Sequence, residues 1–421
     1  ADSFISEIQR CRKSKDLTHA KHLYMSTCEV GLETNHNFGN SLVAMFVECK
    51  HLPLAQHLFN KLDQRNELSW TYLIQGYHDC DKSQHAIGIF DCMQDHGVLP
   101  SKYTFVALLK ACTKLRCVEK GQRLHEKISQ GRYECDTFIG SALVDMYAKC
   151  GLLEKAQEVF DQLPIRNVVS WTTLISAYVD HGYPEKSLYY LKKMQEEGTF
   201  PDVVTYCCAL KACGSMTDIN NGHKLHSKIA KLGLEIDTFL GVTLMDMYIK
   251  CDLLPEAHMV FHELPSKDVV SWNAIIVGYA EHGLAEEAFS CLKKMQTATI
   301  SPNAITFINS LRACSSSGAV DIGRKIHAEI IKENFEGDIR VANTLIDLYA
   351  KLGMLAEAQS VFDEVVTRDV VTWTALISGY SEQGLGEQAL CYYEQMLSEK
   401  LAPDKVIIMC ALKACTSIRD F

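Results

Sequence analysis

The residues that come nearest to catalytic machinery in this 421-residue chain are His327 and Glu329, which form a His-x-Glu arrangement. A zinc-dependent deaminase would use that His as a metal ligand and that Glu as a proton carrier, beside a Cys-x-x-Cys pair. The sequence contains no Cys-x-x-Cys pair, no phosphate-binding glycine loop and no Gly-x-Ser-x-Gly elbow. His327 also recurs as His226 and His125, at steps of 101 residues, which indicates a structural role. We therefore predict that this segment is not an enzyme and needs no metal or cofactor.

The chain has 18 cysteines, and eight of them recur at the same step of 101 residues. A cysteine that repeats with its surroundings is typical of a small buried residue in a reducing compartment, rather than of a disulfide or a metal ligand. The two recurring series are Cys11, Cys112, Cys213, Cys314 and Cys415, and Cys49, Cys150 and Cys251.

A different set of chemically capable residues follows the four tryptophans, which also recur every 101 residues. The phrases around them are ELSWTYLIQGY, VVSWTTLISAY, VVSWNAIIVGY and VVTWTALISGY. The framework is nearly constant, whereas the residue after each Trp changes between a hydroxyl and an amide, both of which hydrogen-bond well. The Trp residues belong to an apolar stripe, so we predict that they pack in the core rather than stack on bases. The four pairs are Trp70 and Thr71, Trp171 and Thr172, Trp272 and Asn273, and Trp373 and Thr374.

The element that carries Thr172 is a predicted pair of antiparallel helices spanning 167–201. Apolar residues at steps of three and four place one stripe on one face of each helix. Gly182 is expected to end the first helix in a left-handed conformation, and Pro184 suits the first turn of the second helix. Two helices of this length cannot bury their own apolar faces, so the pair needs neighbours on both sides.

The 101-residue period supplies those neighbours, because it divides without a gap into hairpins of 35, 35 and 31 residues. Such a period predicts an all-α fold, an α-solenoid superhelix forming a single array over 1–421. No initiating Met is present and the last hairpin is incomplete, which favours a fragment of a longer protein. The predicted hairpins are 1–34, 35–65, 66–100, 101–135, 136–166, 167–201, 202–236, 237–267, 268–302, 303–337, 338–368, 369–403 and the partial 404–421.

A hairpin of 34 residues would suggest a tetratricopeptide array, but the long-long-short order here does not fit one. That order, with TFVALLKACTKL, GQRLHEKI and TFIGSALVDMYAKCGLLEKAQEVFDQLP, closely resembles the PLS class of plant pentatricopeptide repeat (PPR) proteins over all 421 residues. In the terms of that class, 66–100, 167–201, 268–302 and 369–403 are P hairpins. The L hairpins are 1–34, 101–135, 202–236, 303–337 and 404–421, and the S hairpins are 35–65, 136–166, 237–267 and 338–368.

The resemblance implies binding of single-stranded RNA, with about one base read per hairpin. In the family the base is read by the fifth residue of a hairpin, counted from the residue after the Asn or Asp, together with the residue that begins the next hairpin. A second-position residue is thought to wedge between bases, which would be the role of Val169, Val270 and Val371. The implied reading pairs are Asn40 and Asn66, Thr71 and Ser101, Ser141 and Asn167, Thr172 and Asp202, Asn273 and Asn303, Asn343 and Asp369, and Thr374 and Asp404.

Carried over pair by pair, the family pattern implies a target near 5′-N-C-R-N-A-G-N-N-C-N-U-G-3′. The L hairpins contribute unspecified bases because their fifth residues cannot make directional hydrogen bonds, and we expect them to act as spacers, packing units or partner surfaces. Val242 likewise leaves one S hairpin unspecified. The L residues concerned are Ile5, Val106, Cys207, Ile308 and Met409.

Each implied reading residue also has a simpler structural interpretation. An Asn or Asp before a helix is commonly a capping residue, and a Thr or Ser within a helix commonly bonds to the backbone. The net charge of −10 excludes a whole-chain basic field, so RNA phosphates would need a local stripe. Lys149, Lys250 and Lys351 share one repeat position and are candidate phosphate contacts; the alternative is a solvated surface.

We predict a sequence-specific RNA-binding array that selects a site in an organellar transcript, with C-to-U editing as the process that the resemblance implies. A deaminase would act downstream or in trans, accessory editing proteins would dock on L hairpins, and the location would be the mitochondrion or chloroplast. Two alternatives remain open at this point. One is a helical-repeat scaffold for a peptide or protein, and the other is a PPR factor for RNA stabilisation or splicing. No apolar run approaches the ~20 residues of a membrane span.

Overall fold

The computed structural model describes residues 2–32, 35–131, 133, 136–234 and 237–419, and every regular element within them is an α-helix. Residues up to Ala212 form one compact unit and residues from Cys213 form another, so each unit is treated by itself. The division falls within the helix α13 (Val203–Met216).

The helices of the first unit alternate between the first and second members of successive pairs. They are α1 (Asp2–Ser14), α2 (Leu17–Glu29), α3 (His36–Glu48), α4 (Leu52–Lys61), α5 (Glu67–Asp79), α6 (Ser83–Asp95), α7 (Lys102–Leu115), α8 (Val118–Gln130), α9 (Thr137–Lys149), α10 (Leu153–Gln162), α11 (Val168–Asp180) and α12 (Pro184–Glu196).

The second unit continues the same alternation. Its helices are α14 (Ile219–Lys231), α15 (Thr238–Lys250), α16 (Leu254–Glu263), α17 (Val269–Glu281), α18 (Ala285–Thr297), α19 (Ala304–Ser317), α20 (Val320–Lys332), α21 (Ile339–Lys351), α22 (Leu355–Glu364), α23 (Val370–Glu382), α24 (Gly386–Ser398) and α25 (Lys405–Arg419).

The pair α11 and α12 shows why the sequence folds in this way. The side chain of Asn167 accepts a hydrogen bond from the Ser170 amide (2.9 Å) and so caps the first turn of α11. Gly182 has φ 79°, the left-handed conformation that glycine adopts at low cost, and Pro184 opens α12. The predicted stop at Gly182 and the predicted start at Pro184 are therefore confirmed.

Packing within each unit runs mainly from one first helix to the next. In the first unit α1, α3, α5, α7, α9 and α11 contact one another in turn, and each second helix packs on its own partner. In the second unit α15, α17, α19, α21, α23 and α25 do the same. Each unit is thus an α-solenoid of stacked antiparallel helix pairs, as predicted.

The four tryptophans belong to the core of their units, as predicted, and are not available as base-stacking platforms. Each is buried with its ring edge against a phenylalanine of the preceding second helix, at centroid distances of 4.6 to 4.8 Å. The pairs are Trp70 and Phe59, Trp171 and Phe160, Trp272 and Phe261, and Trp373 and Phe362.

The recurring cysteines Cys11, Cys112, Cys213 and Cys314 are fully buried, as predicted. Cys415 is exposed, contrary to that prediction. In the copies with Cys112, Cys213 and Cys314, a second helix follows the one that carries the cysteine. No second helix follows α25 among the described residues, so Cys415 lacks that cover.

The assignment of the hairpins to three types stays a prediction. The outer limits at residues 1, 34, 135, 236 and 421 lie outside the described residues.

Candidate nucleic-acid interface

The predicted reading residues lie within the first helices of the pairs or directly before their first residue. The side chains of Asn66, Asn167, Asn303 and Asp369 accept a hydrogen bond from the backbone amide three residues on, at 2.8 to 3.0 Å. Asp202 and Asp404 do the same at 2.8 Å. The capping interpretation is therefore correct for these residues. It uses a single oxygen of each side chain, so it leaves the second terminal atom unengaged by the cap.

In the first unit, a chain of hydroxyl groups joins Thr172 to Asp202. Thr205 donates its hydroxyl proton to Asp202 Oδ1 (2.7 Å), since a carboxylate can only accept. Thr205 Oγ1 also lies 2.6 Å from Thr172 Oγ1, so Thr172 is the donor in that bond. Thr172 consequently presents only lone pairs to a ligand.

The pair Thr71 and Ser101 is linked in a related way, through Thr104. Thr71 Oγ1 lies 2.6 Å from Thr104 Oγ1, which lies 3.2 Å from Ser101 Oγ. Glu67 adds a carboxylate that sequence reasoning missed. The Thr71 hydroxyl donates to its Oε1 (2.8 Å), so Thr104 is the donor to Thr71, and Thr104 Oγ1 also lies 3.2 Å from the same carboxylate oxygen. Valine stands at the equivalent position in the other three P hairpins.

In the second unit, the amide Nδ2 of Asn273 donates to Asn303 Oδ1 (3.2 Å) and the Thr306 hydroxyl donates to Asn273 Oδ1 (2.7 Å). Asn303 Oδ1 also caps α19, so the Asn303 amide nitrogen alone faces away from these bonds.

Asn343 and Asp369 form a direct pair, from Asn343 Nδ2 to Asp369 Oδ1 (3.2 Å). Burial alone would raise the pKa of Asp369, but hydrogen bonds from the amide and hydroxyl of Thr372 and from Asn343 together lower it. The Asp369 side chain is therefore an anion that accepts hydrogen bonds at neutral pH.

The remaining reading pairs are less closely joined. The Asn66 backbone amide donates to Asn40 Oδ1 (3.2 Å). Ser141 and Thr374 instead donate to backbone carbonyls one turn earlier, at 2.7 Å. The structure brings five of the seven predicted pairs together by hydrogen bonds, direct or through one hydroxyl, and leaves Ser141–Asn167 and Thr374–Asp404 unlinked within the described residues.

The predicted wedge residues Val169, Val270 and Val371 are exposed, with more than half of each side chain in solvent. Sequence reasoning missed that the same position is apolar and exposed in most other first helices. The signal is present in the sequence, since these residues share the second place of their hairpins. The additional members are Leu68, Tyr103, Phe138, Val204, Phe239, Ile305 and Val406.

A pocket of about 340 Å³ in the first unit gathers these features into one place. Val169 and Val204 stand at its sides, Thr172 and Asp202 line it near the helix N-termini, and Lys149 lines it from the end of α9. A reading pair, two exposed apolar side chains and a cation thus meet in a space open to a ligand.

The predicted phosphate contacts are ion-paired one turn back along their helices. Lys149, Lys250 and Lys351 each lie 2.8 Å from an aspartate oxygen, and about half or more of each lysine side chain is exposed. Exposed pairs of this kind are weak, about 0.3–0.5 kcal/mol, so a phosphate can compete for the ammonium group. The aspartates are Asp145, Asp246 and Asp347.

His327 has the structural role that its recurrence predicts. Its Nδ1 lies 2.9 Å from the Tyr349 hydroxyl, and burial lowers its pKa. His226 makes the same contact with Tyr248 (2.7 Å). Across the part of the chain that the structure describes, no group of three or more His, Cys, Asp or Glu side chains is placed to hold a metal ion. None of the described helices combines the length and apolar character needed to cross a membrane.

The fold defines an α-helical repeat protein, and its first helices carry the candidate binding surface. Family models agree with this class: one for the PPR repeat family matches 65–114, 166–215, 267–316 and 368–406, and one for the PPR repeat matches 141–168, 242–269 and 341–370.

Curated relatives from Arabidopsis thaliana extend the similarity over nearly the whole chain. A chloroplastic pentatricopeptide repeat-containing protein is 32% identical over 99% of this chain and 67% of its own length. A second chloroplastic one is 30% identical over 98% and 51%, and a mitochondrial one is 32% identical over 94% and 38%. The chain belongs to the pentatricopeptide repeat family. It spans only about 38 to 67% of the length of these three relatives.

Solved structures share the fold. The crystal structure of the pentatricopeptide repeat protein PPR10 in complex with an 18-nucleotide psaJ RNA element superimposes with a TM-score of 0.76, at 17% identity, over 94% of this chain and 61% of that one. A crystal structure of PPR10 from maize gives a TM-score of 0.55, at 17% identity, over 99% and 71%.

Proposed function

We propose that this chain binds single-stranded RNA with sequence preference, about one base per hairpin, along the first helices of its repeats. The observation that carries the proposal is the pocket of the first unit, in which Thr172, Asp202, Val169, Val204 and Lys149 converge. Base edge, base face and phosphate are the three parts of a nucleotide, and the pocket offers a suitable partner for each. The PPR10 structure, solved with bound RNA, supports the proposal by analogy.

The base that each reading pair prefers depends on which terminal side-chain atom of the Asn or Asp is not used by the helix cap. Asp202 uses Oδ1 for the cap and keeps Oδ2, an acceptor, while Thr172 presents lone pairs because its proton goes to Thr205. Two acceptors match the N1–H and N2–H donors of guanine. Asn303 instead keeps its amide nitrogen, a donor, which suits the ring-nitrogen acceptor of cytosine.

The exposed side chains Val169 and Val204 flank the pocket and give it apolar walls. A base held between them would lose apolar surface to water on both faces, which favours binding without regard to sequence. Sequence preference and general affinity would therefore come from different side chains of the same pocket.

The test is a fluorescence-anisotropy titration with the 12-nucleotide RNA that fits 5′-N-C-R-N-A-G-N-N-C-N-U-G-3′ and with a scrambled RNA of equal composition. We expect the matched RNA to bind at least about tenfold more tightly, as two or three net base hydrogen bonds would give. Equal affinity for both RNAs would reject base reading. Binding of neither RNA, together with capture of a peptide in the same surface, would favour a protein-binding scaffold.

We propose further that the full-length protein directs C-to-U editing of an organellar transcript. The support is the ordered long-long-short repeat of the sequence and the chloroplastic or mitochondrial labels of the relatives. A deaminase, either downstream or in trans, would supply the chemistry, and accessory editing proteins would dock on L hairpins. Sequencing organellar transcripts from plants without the gene would test this: a specific cytidine should stay unedited. Loss of a transcript or of its splicing with all editing intact would instead assign stabilisation or splicing.

A further inference from the structure

A second pocket, in the second unit, lies along the first helices α17, α19 and α21 and has a volume of about 400 Å³. Asn309, Arg312 and Lys351 line it, together with the carboxylates of Glu281 and Asp347. It belongs to the hairpin 303–337, whose fifth residue, Ile308, cannot hydrogen-bond a base. The pocket therefore offers polar groups where the base-reading pattern offers none.

Asn309 is the unusual residue of this pocket. Only 7% of it is exposed, yet its amide forms no hydrogen bond within the described residues. The hydroxyl groups of Thr344 and Ser316, which line the same pocket, donate to backbone carbonyls at 2.8 Å. A buried amide without a partner is unfavourable unless a ligand or water satisfies it.

The other copies show that packing does not require an amide at this place. The equivalent residues at steps of 101 are Ser6, Ala107, Cys208 and Cys410, so a smaller residue without an amide fills the position elsewhere. Asn309 is thus a departure from the repeat whose amide lines the pocket and forms no hydrogen bond within the described residues. Such a departure is expected where a residue serves binding.

The register of the first pocket indicates which part of a nucleotide would reach Asn309. There, Thr172 and Asp202 stand at one end and Lys149 at the other, with Thr173 and Ser176 between them. Asn309 and Arg312 hold the places of Thr173 and Ser176 in their own hairpin. The cation Lys351 comes from the following first helix, α21, whereas Lys149 comes from the preceding one, α9. The group between base and phosphate is the ribose.

Charge supports the same assignment. Lys351 is paired with Asp347 (2.8 Å), whereas the Arg312 guanidinium forms no ion pair with any described residue. With two cations and two carboxylates the pocket is not a simple anion site. A ribose phosphate carries both donors and acceptors, so it fits this mixture better than a free anion.

We propose that Asn309, Arg312 and Lys351 form a sugar–phosphate anchor that holds the nucleotide opposite hairpin 303–337 whatever its base, with Asn309 bonded to the ribose 2′-hydroxyl. The anchor rests on the proposed RNA-binding function and deepens it. It gives an L hairpin that reads no base a positive contact with RNA. It also makes this point of the chain sensitive to the difference between RNA and DNA.

The test uses the matched 12-nucleotide RNA with a single 2′-deoxy substitution at nucleotide 10, which faces hairpin 303–337. The control is the same substitution at nucleotide 4, which faces the hairpin that carries Ala107. We expect the deoxy change at nucleotide 10 to weaken binding about threefold to tenfold, as loss of one net hydrogen bond predicts, and the change at nucleotide 4 to have little effect.

Asn309→Ala gives the chain the residue that Ala107 already provides, so folding should be preserved. This variant should bind the all-ribose RNA about threefold to tenfold more weakly and should no longer distinguish it from the RNA with deoxy at nucleotide 10. Arg312→Gln should reduce the slope of log affinity against log salt by about 1. Lys325→Gln, an equal charge change on the second helix α20, should leave the slope unchanged.

The outcomes separate the two proposals. If the wild-type chain binds the matched RNA selectively but Asn309→Ala keeps full sensitivity to deoxy at nucleotide 10, the anchor is wrong and the proposed function stands. If the 2′-deoxy substitution at nucleotide 10 weakens binding but matched and scrambled RNA bind equally, the anchor stands and base reading is wrong. If no RNA binds in a salt-dependent way, the proposed function itself fails.

Discussion

An Asn or Asp that begins a predicted hairpin caps its helix through one side-chain atom and leaves the other for the proposed contact with a base. Asp202 caps α13 through Oδ1, and Asn167 caps α11 through the same atom. Because an Asp and an Asn cap a helix almost equally well, selection on the second atom is free of a large folding cost. This separation explains why a capping position can also vary with the base that it faces.

Asp202→Asn should therefore change base preference without changing the fold. The cap is retained, while the leftover acceptor Oδ2 becomes an amide donor, so preference at nucleotide 6 should move from G towards A. Affinity for the G-containing RNA should fall about tenfold to hundredfold, since a hydrogen bond to a charged group is lost. Anisotropy titrations with the four nucleotide-6 variants would measure this, and an unchanged G preference would contradict the assignment.

Glu67 is a departure that the repeat pattern does not predict. Its carboxylate accepts a hydrogen bond from the Thr71 hydroxyl, at a position where the other P hairpins have Val168, Val269 and Val370. Glu67→Val restores that pattern and removes a negative charge from beside an anionic ligand. We expect RNA affinity at low salt to rise about twofold to fivefold and the gain to shrink as salt screens the charge. Weaker binding of the variant at every salt concentration would show that the carboxylate contacts the RNA favourably.

Sequence alone could name the candidate reading positions but not their hydrogen bonds. A period assigns Thr172 and Asp202 to one register, yet it says nothing of Thr205, whose hydroxyl fixes the direction of the bonds between them. The signal was visible as a Ser or Thr at the third place of most first helices, for example Ser170 and Thr306. Asn309 was missed for a related reason, because burial without a partner is a property of the structure.

At the scale of elements, the first helices approach one another closely where the sequence has glycine. A Cβ on Gly379 of α23 would collide with the Cβ and backbone of Ala350 on α21, neither of which can rotate away. A Cβ on Gly222 of α14 would instead meet the sulfur of Met247 at 2.6 Å, at the flexible end of a long side chain. Close packing between first helices (Gly379) and close packing of a second helix on the next first helix (Gly222) therefore tolerate an added methyl group differently.

Gly379→Ala should destabilise the second unit more than Gly222→Ala does. We expect about 1–3 kcal/mol for Gly379→Ala, the usual cost of overpacking against a rigid neighbour, and less than about 1 kcal/mol for Gly222→Ala, where Met247 can repack. Urea unfolding followed by circular dichroism would give both values. Equal losses would mean that α21 and α23 can separate as readily as a methionine can change rotamer.

The helices themselves were largely accessible from sequence, because the period, the caps and the glycine stops act locally. Gly182 and Pro184 end and start helices where expected. The second helices of the short hairpins, such as α10 and α16, have 10 residues, whereas most others have 13, which accounts for most of the difference between 31 and 35 residues. The exposure of Cys415 was less accessible, since a repeat pattern implies the same neighbours for every copy.

For the whole molecule, charge sets limits on how RNA can be held. The chain carries a net charge of −10, and the lysines Lys149, Lys250 and Lys351 are each paired with an aspartate. A phosphate would have to displace these aspartates, so we expect the salt dependence of binding to be modest and most of the affinity to come from base contacts and apolar walls. Electrostatics would then contribute little to the choice between RNA sequences.

The same repetition makes the stability of the molecule depend on pH, through histidines in successive copies. Burial lowers the pKa of His226 and of His327, each of which bonds to a tyrosine hydroxyl. A histidine with a lowered pKa in the folded state takes up its proton more readily when unfolded. Its stabilising effect is complete above the unfolded value of about 6.5 and is lost as the pH falls through 6.5 towards the folded pKa.

Tm measured by calorimetry should accordingly fall between pH 7.5 and pH 5.5. The double variant His226→Gln with His327→Gln should show a smaller fall, because glutamine keeps a hydrogen-bonding group without titrating.

His282 supplies the control of opposite sign. The Gly278 carbonyl and Asp252 raise its pKa, so it stabilises the fold as the pH falls, and His282→Gln should steepen the decline. Carboxylates with lowered pKa, such as Asp369, titrate below this range and do not disturb it. A Tm that is flat in the wild type, or equally steep in all three proteins, would show that these histidines do not govern the acid response of the stack.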